Sequence, residues 1–149
     1  MNKLLLFLCL VVPLMAQPIH PNSQKFFQAV FSAVTETGVT KMKFMMERML
    51  NEDTQDMMIN KMFSEMDPED NGMEKRQVVM FIKTMILGTI EVEVDHDILL
   101  DFVDVIMDLV DTDGNGRLSK FEFKTKWIPL IENVVYPRVL MKYQQLTEL

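Results

Sequence analysis

Six residues in a run of twelve have the types and spacing to grip a cation. Residues 111–122 read D-T-D-G-N-G-R-L-S-K-F-E, with Asp111, Asp113 and Asn115 at positions 1, 3 and 5 and Glu122 at position 12. All four carry oxygen donors. A hard cation such as calcium takes six to eight oxygens at roughly 2.3–2.6 Å, so a short segment that supplies them must curl tightly. Gly116, at position 6, provides the sharp turn that a Cβ would obstruct. Arg117 at position 7 is expected to coordinate through its backbone carbonyl, leaving its side chain in water. Ser119 at position 9 is expected to act directly or through a bridging water. Glu122 opens the following helix and can give both carboxylate oxygens. An ordinary Asp/Gly/Asn turn between helices explains D-G-N-G. It does not explain Leu118 and Glu122 together at their offsets.

Such a loop needs helices to hold it. Upstream, Phe102, Val103, Ile106, Met107, Leu109 and Val110 make an apolar face at helical spacing. Downstream, Phe123 and Trp127 lie one turn apart on the next helix. Residues 95–134 thereby resemble the EF-hand family. The resemblance implies an all-α fold, Ca2+ as the bound ion, and a second hand whose loop makes a short β-contact with the first.

A candidate partner begins at Asp67, where D-P-E-D-N-G-M-E-K-R-Q-V runs to Val78. Asp67, Glu69, Asn71 and Gly72 match positions 1, 3, 5 and 6. Met58, Ile59, Met62, Phe63 and Met66 precede it at apolar offsets like those of the other hand. The second half departs from the pattern: Glu74 falls at the apolar position 8 and Val78 replaces the glutamate. Sliding by one residue places Met73 and Gln77 at positions 8 and 12, but moves Gly72 off the turn. The segment reads as a degenerate EF-hand that completes the pair structurally. Leu87-Gly88-Thr89 and residues 90–94 form the linker between the hands.

The remainder bounds where such a protein acts. Lys3, the twelve apolar residues 4–15 and the small Ala16 have the pattern of a signal peptide, too short to span a bilayer. Removing residues 1–16 takes away Cys9, the only cysteine, and leaves 14 basic against 22 acidic residues. The mature chain is then expected to form no disulfide and to draw its stability from its core or a bound metal. Its negative charge disfavours nucleic acid and anionic membranes. His20 and His96 are the only histidines, and no nucleophile motif or phosphate loop accompanies them, so an enzyme is not expected.

The expected organisation is a signal peptide (1–16), an N-terminal helical arm (17–55), a pair of EF-hands (56–86 degenerate, 95–134 intact) and a C-terminal helical tail (135–149). In the arm, Asn22 or Ser23 is expected to cap a first helix, Gly38 to break it and Thr40 to cap a second. The methionines between 42 and 85 read mainly as core. The acidic stripe Asp97, Asp101, Asp104 and Asp108 reads as a solvated helix face. Pro129 is expected to end or kink the helix after Trp127, and Pro137 to start the last one. The functional expectation is a secreted, extracellular protein with constitutive or structural calcium in one hand, possible partners being an extracellular protein or a mineral surface. The alternative is a calcium-dependent protein-binding module exposing a Met-rich groove.

Overall fold

The computed structural model describes residues 19–148; the apolar stretch 4–15, Cys9 and Ala16 lie outside the described residues. The fold is all-α apart from one two-residue strand pair. In chain order the elements are α1 (Pro21–Ala33), α2 (Glu36–Leu50), α3 (Glu52–Met66), β1 (Met73–Glu74) and α4 (Lys75–Phe81), which widens into a π-helical segment (Ile82–Leu87). Then come α5 (His96–Val110), β2 (Arg117–Leu118) and α6 (Lys120–Glu122). The chain stays helical through Phe123–Trp127, α7 (Ile128–Leu130), Ile131–Val135 and α8 (Tyr136–Thr147).

The arm begins and turns at other residues than expected. His20 caps α1, its Nδ1 accepting the Asn22 N–H at 3.1 Å. Thr35, not Thr40, caps α2, accepting the Gly38 N–H at 3.1 Å and satisfying one of the donors a helix start leaves free. Gly38 therefore sits inside the first turn of α2 rather than between helices. A Cβ there would stand 2.9 Å from the Ile90 carbonyl oxygen. The glycine permits a close approach between the arm and the linker instead of breaking a helix.

Pro129 is absorbed without ending the helix, and Pro137 stands in the first turn of α8, as expected, though the chain is already helical before it. The Ile128 N–H bonds to the Phe123 carbonyl and the Tyr136 N–H to the Ile131 carbonyl, each five residues back. Pro129 and Pro137 follow one residue after these wide turns. Proline lacks an N–H and its ring collides with the carbonyl four residues earlier in a regular helix; a local π turn relieves that collision.

One apolar core joins the arm to the loop-bearing helices. Helix α1 packs on α5 and α2 packs on α8. Phe26 stacks on Phe102 with ring centres 3.9 Å apart, and Phe27 meets the same ring edge-on at 5.6 Å. Phe63, ahead of the first loop, meets Phe123, behind the second, edge-on at 5.8 Å, and both are fully buried. Met42, Met46 and Met73 are buried, as the core reading expects, while Met57, Met80 and Met85 stay exposed. Asp97, Asp101, Asp104 and Asp108 all lie on the exposed side of α5. No helix among the described residues is long and apolar enough to cross a membrane.

Candidate metal centre

The second loop is anchored at both ends by backbone geometry that its sequence selects. Asp111 ends α5, its N–H bonding to the Met107 carbonyl at 2.9 Å. Gly114 and Gly116 take positive φ, 67° and 76°, the left-handed region that glycine enters without steric cost. The resulting curl lets the Gly116 N–H donate to Asp111 Oδ2 at 2.7 Å and the Asn115 N–H to Asp113 Oδ1 at 3.2 Å. At the far end Ser119 caps α6 by accepting the Glu122 N–H at 3.1 Å. Glu122 is almost wholly buried. Its Oε1 accepts from the Ser119 N–H at 3.0 Å and its Oε2 from the Thr112 N–H at 2.6 Å.

This arrangement brings Asp111, Asp113 and Glu122 together: one carboxylate oxygen from each lies within 4.8 Å of the others. Asn115 and Ser119 are turned to local bonds instead. Asn115 Oδ1 accepts the Arg117 N–H at 2.8 Å, and Ser119 Oγ serves as the helix cap. The expectation that the Arg117 side chain stays in water is corrected. Its guanidinium crosses to the first loop, donating to the Gly72 carbonyl at 3.3 Å and to Glu74 Oε1 at 2.9 Å.

The carboxylates repel one another, and their electrostatics record it. At Asp113 the Asn115 N–H pulls the carboxyl downwards. The adjoining Asp111 carboxylate, burial and the Glu122 charge outweigh it and hold Asp113 above the ordinary carboxylate range. Asp111 goes the other way. Burial pushes it upwards, but the Gly116 N–H, hydrogen bonding with Asp113, the Asn115 N–H and Glu122 keep it below its usual value. Asp111 Oδ1 is buried with no hydrogen-bond partner. A buried acceptor left unpaired is costly unless something binds it. All the donors here are hard oxygens, so the residues present fit a hard cation.

The first loop takes neither sequence register whole. Its opening half keeps the original one. Asp67, buried at the end of α3, accepts the Asn71 N–H at 3.0 Å and the Gly72 N–H at 2.9 Å, and Gly72 has φ 91°. Its closing half uses the slid register. Met73, not Glu74, is fully buried and pairs with Leu118, while Glu74 pairs with Arg117 in the antiparallel β1–β2 contact. Gln77 braces the loop from the position Glu122 holds in the other, accepting the Glu74 N–H at 2.8 Å and donating to the Met66 carbonyl at 2.7 Å. The loop is thus one residue shorter than its partner. Gln77 spends its amide on the backbone, so no bidentate carboxylate faces Asp67. The Gly72-Met73 step carried the signal: a turn glycine followed at once by an apolar residue, where the second loop has Arg117 between Gly116 and Leu118.

No protein-family model matches the chain, and no curated protein or solved structure does either.

Proposed function

We propose that this chain is a secreted calcium-binding protein of the EF-hand type, with one ion held by residues 111–122 and the 67–77 loop serving as its structural partner. The observation that carries the reading is the cluster of Asp111, Asp113 and Glu122 together with a buried Asp111 oxygen that no protein group satisfies. Calcium suits it better than magnesium. A loop of several protein oxygens with adjustable spacing matches calcium's flexible shell, whereas magnesium demands near-octahedral geometry and keeps its waters. Asn115, Ser119 and the Arg117 carbonyl stand at the loop positions that would complete the shell once the local bonds of Asn115 and Ser119 yield. The antiparallel pairing of the two loops supports a paired arrangement of hands. The apolar leader at residues 4–15 supports secretion.

The protein's role is to hold calcium structurally rather than to open on it. The apolar faces that a sensor would offer to a target are covered by the chain's own arm, through Phe26, Phe27, Met42 and Met46. Three carboxylates and a partner loop without a metal set suit weak, constitutive occupancy at extracellular calcium levels, about 10⁻⁴–10⁻³ M. Calorimetric titration of the chain with calcium tests the reading, with Glu122→Gln run beside it. One binding event that the substitution removes or severely weakens is expected. Absence of binding, or binding indifferent to the substitution, overturns it.

A further inference from the structure

Arg117 belongs to the second loop but makes its side-chain bonds in the first. Three observations converge on it. The guanidinium donates to the Gly72 carbonyl at 3.3 Å and to Glu74 Oε1 at 2.9 Å, 45 and 43 residues away in sequence. It borders a polar cleft of the first loop, about 240 Å³, lined also by Asp67, Glu69, Asn71 and Gln77. Finally, Gly72 leaves room for it: a Cβ on Gly72 would stand 2.8 Å from the Arg117 Cβ. The planar, permanently charged fork of arginine can serve a carbonyl and a carboxylate together, which an ammonium on a flexible stem does less well. Arg76 reaches the other Glu74 oxygen only at 3.6 Å and is largely exposed.

We infer that Arg117 is a positioning residue for calcium in the second loop, its guanidinium taking in the first loop the place of a second cation. The inference rests on the calcium reading above. Arg117 is the residue whose backbone carbonyl is assigned to the ion. Clamping its side chain to Gly72 and Glu74 fixes that backbone against β1 before the ion arrives. Less ordering then remains to oppose binding. The same clamp sets a positive charge beside the first loop's carboxylates, which disfavours a calcium ion there.

The test is calcium calorimetry on the full chain carrying Arg117→Gln, Arg117→Lys, Glu74→Gln or the Arg117→Gln/Glu74→Gln pair. Amide hydrogen exchange on the metal-free proteins accompanies it. Arg117→Gln is expected to weaken binding about threefold to tenfold, in keeping with a partly exposed ion pair aided by a carbonyl bond. Arg117→Lys should fall between it and the parent. Glu74→Gln should weaken binding in the same direction, and the pair should bind no worse than Arg117→Gln alone. In the metal-free chain, amides at 72–74 and 116–118 should exchange faster in Arg117→Gln. Unchanged affinity in Arg117→Gln, or strictly additive losses in the pair, overturns the inference while leaving the calcium reading intact. A parent chain that binds no calcium overturns that reading instead; unchanged amide exchange would then also dispose of the clamp.

Discussion

At the scale of the residue, the second loop holds a conflict between neighbouring carboxylates. Asp113 sits between Asp111 and Glu122, and its raised pKa means that the folded, metal-free loop disfavours its charged form. The sign for stability follows. Ionised Asp113 destabilises the metal-free fold above the ordinary carboxylate pKa, and acidification relieves it. Asp111 contributes in the opposite sense: its lowered pKa adds stability that is lost only as pH falls through that lowered value. Asp113→Asn should therefore raise the thermal midpoint of the metal-free protein at neutral pH while weakening calcium binding. A midpoint that falls in calcium-free buffer would mean the carboxylate is stabilising without a metal. Most of this centre was legible in the sequence, because Asp111, Asp113, Gly116, Leu118 and Glu122 act through fixed offsets within twelve residues. The orientation of Arg117 was not. Its partners lie 43 and 45 residues away and depend on the register in which the two loops pair.

At the scale of the element, local signals located the helices but not always their boundaries. The 3.6-residue periodicity of Phe102, Val103, Ile106 and Val110 marks α5, which the structure bears out at His96–Val110. Gly38 and Thr40 suggest a break and a cap, because either can be built from the same residue types, whereas Thr35 is the cap and Gly38 lies inside the helix. What decided was Ile90, more than fifty residues on, whose carbonyl needs the space beside Gly38. Likewise Pro129 looks like a helix end or kink until the wide turn before it is seen, while Pro137 stands in the first turn of the last helix, as its residue type suggests. Gly38→Ala makes this quantitative. Alanine favours a helix interior by roughly 1 kcal/mol over glycine. Forcing a methyl to 2.9 Å from a backbone oxygen costs about 1–3 kcal/mol when neither side can move aside freely. The substitution should thus lower the urea midpoint, and a higher midpoint would show that propensity, not the contact with Ile90, governs the site.

At the scale of the whole molecule, the arm makes one body with the loop-bearing helices. Nothing in its own periodicity names its partner; the complementarity of Phe26 and Phe27 with Phe102, and of α2 with α8, appears only in three dimensions. With those faces covered in cis, calcium should alter the exposed apolar surface little. An apolar dye should show almost no calcium-dependent fluorescence with the whole chain, and bind strongly once residues 17–50 are deleted. A large calcium-induced rise in the whole chain would favour the binding-module alternative. The central claim, one ion and in the second loop only, is tested most directly by amide NMR during a calcium titration. Gly116 and Gly72 make equivalent N–H bonds to Asp111 and Asp67 at 2.7 and 2.9 Å. A cation bound to one aspartate polarises only its own glycine's bond. The Gly116 proton should move strongly downfield and saturate at one equivalent while Gly72 stays nearly still; both moving together, or Gly72 moving alone, would contradict the account.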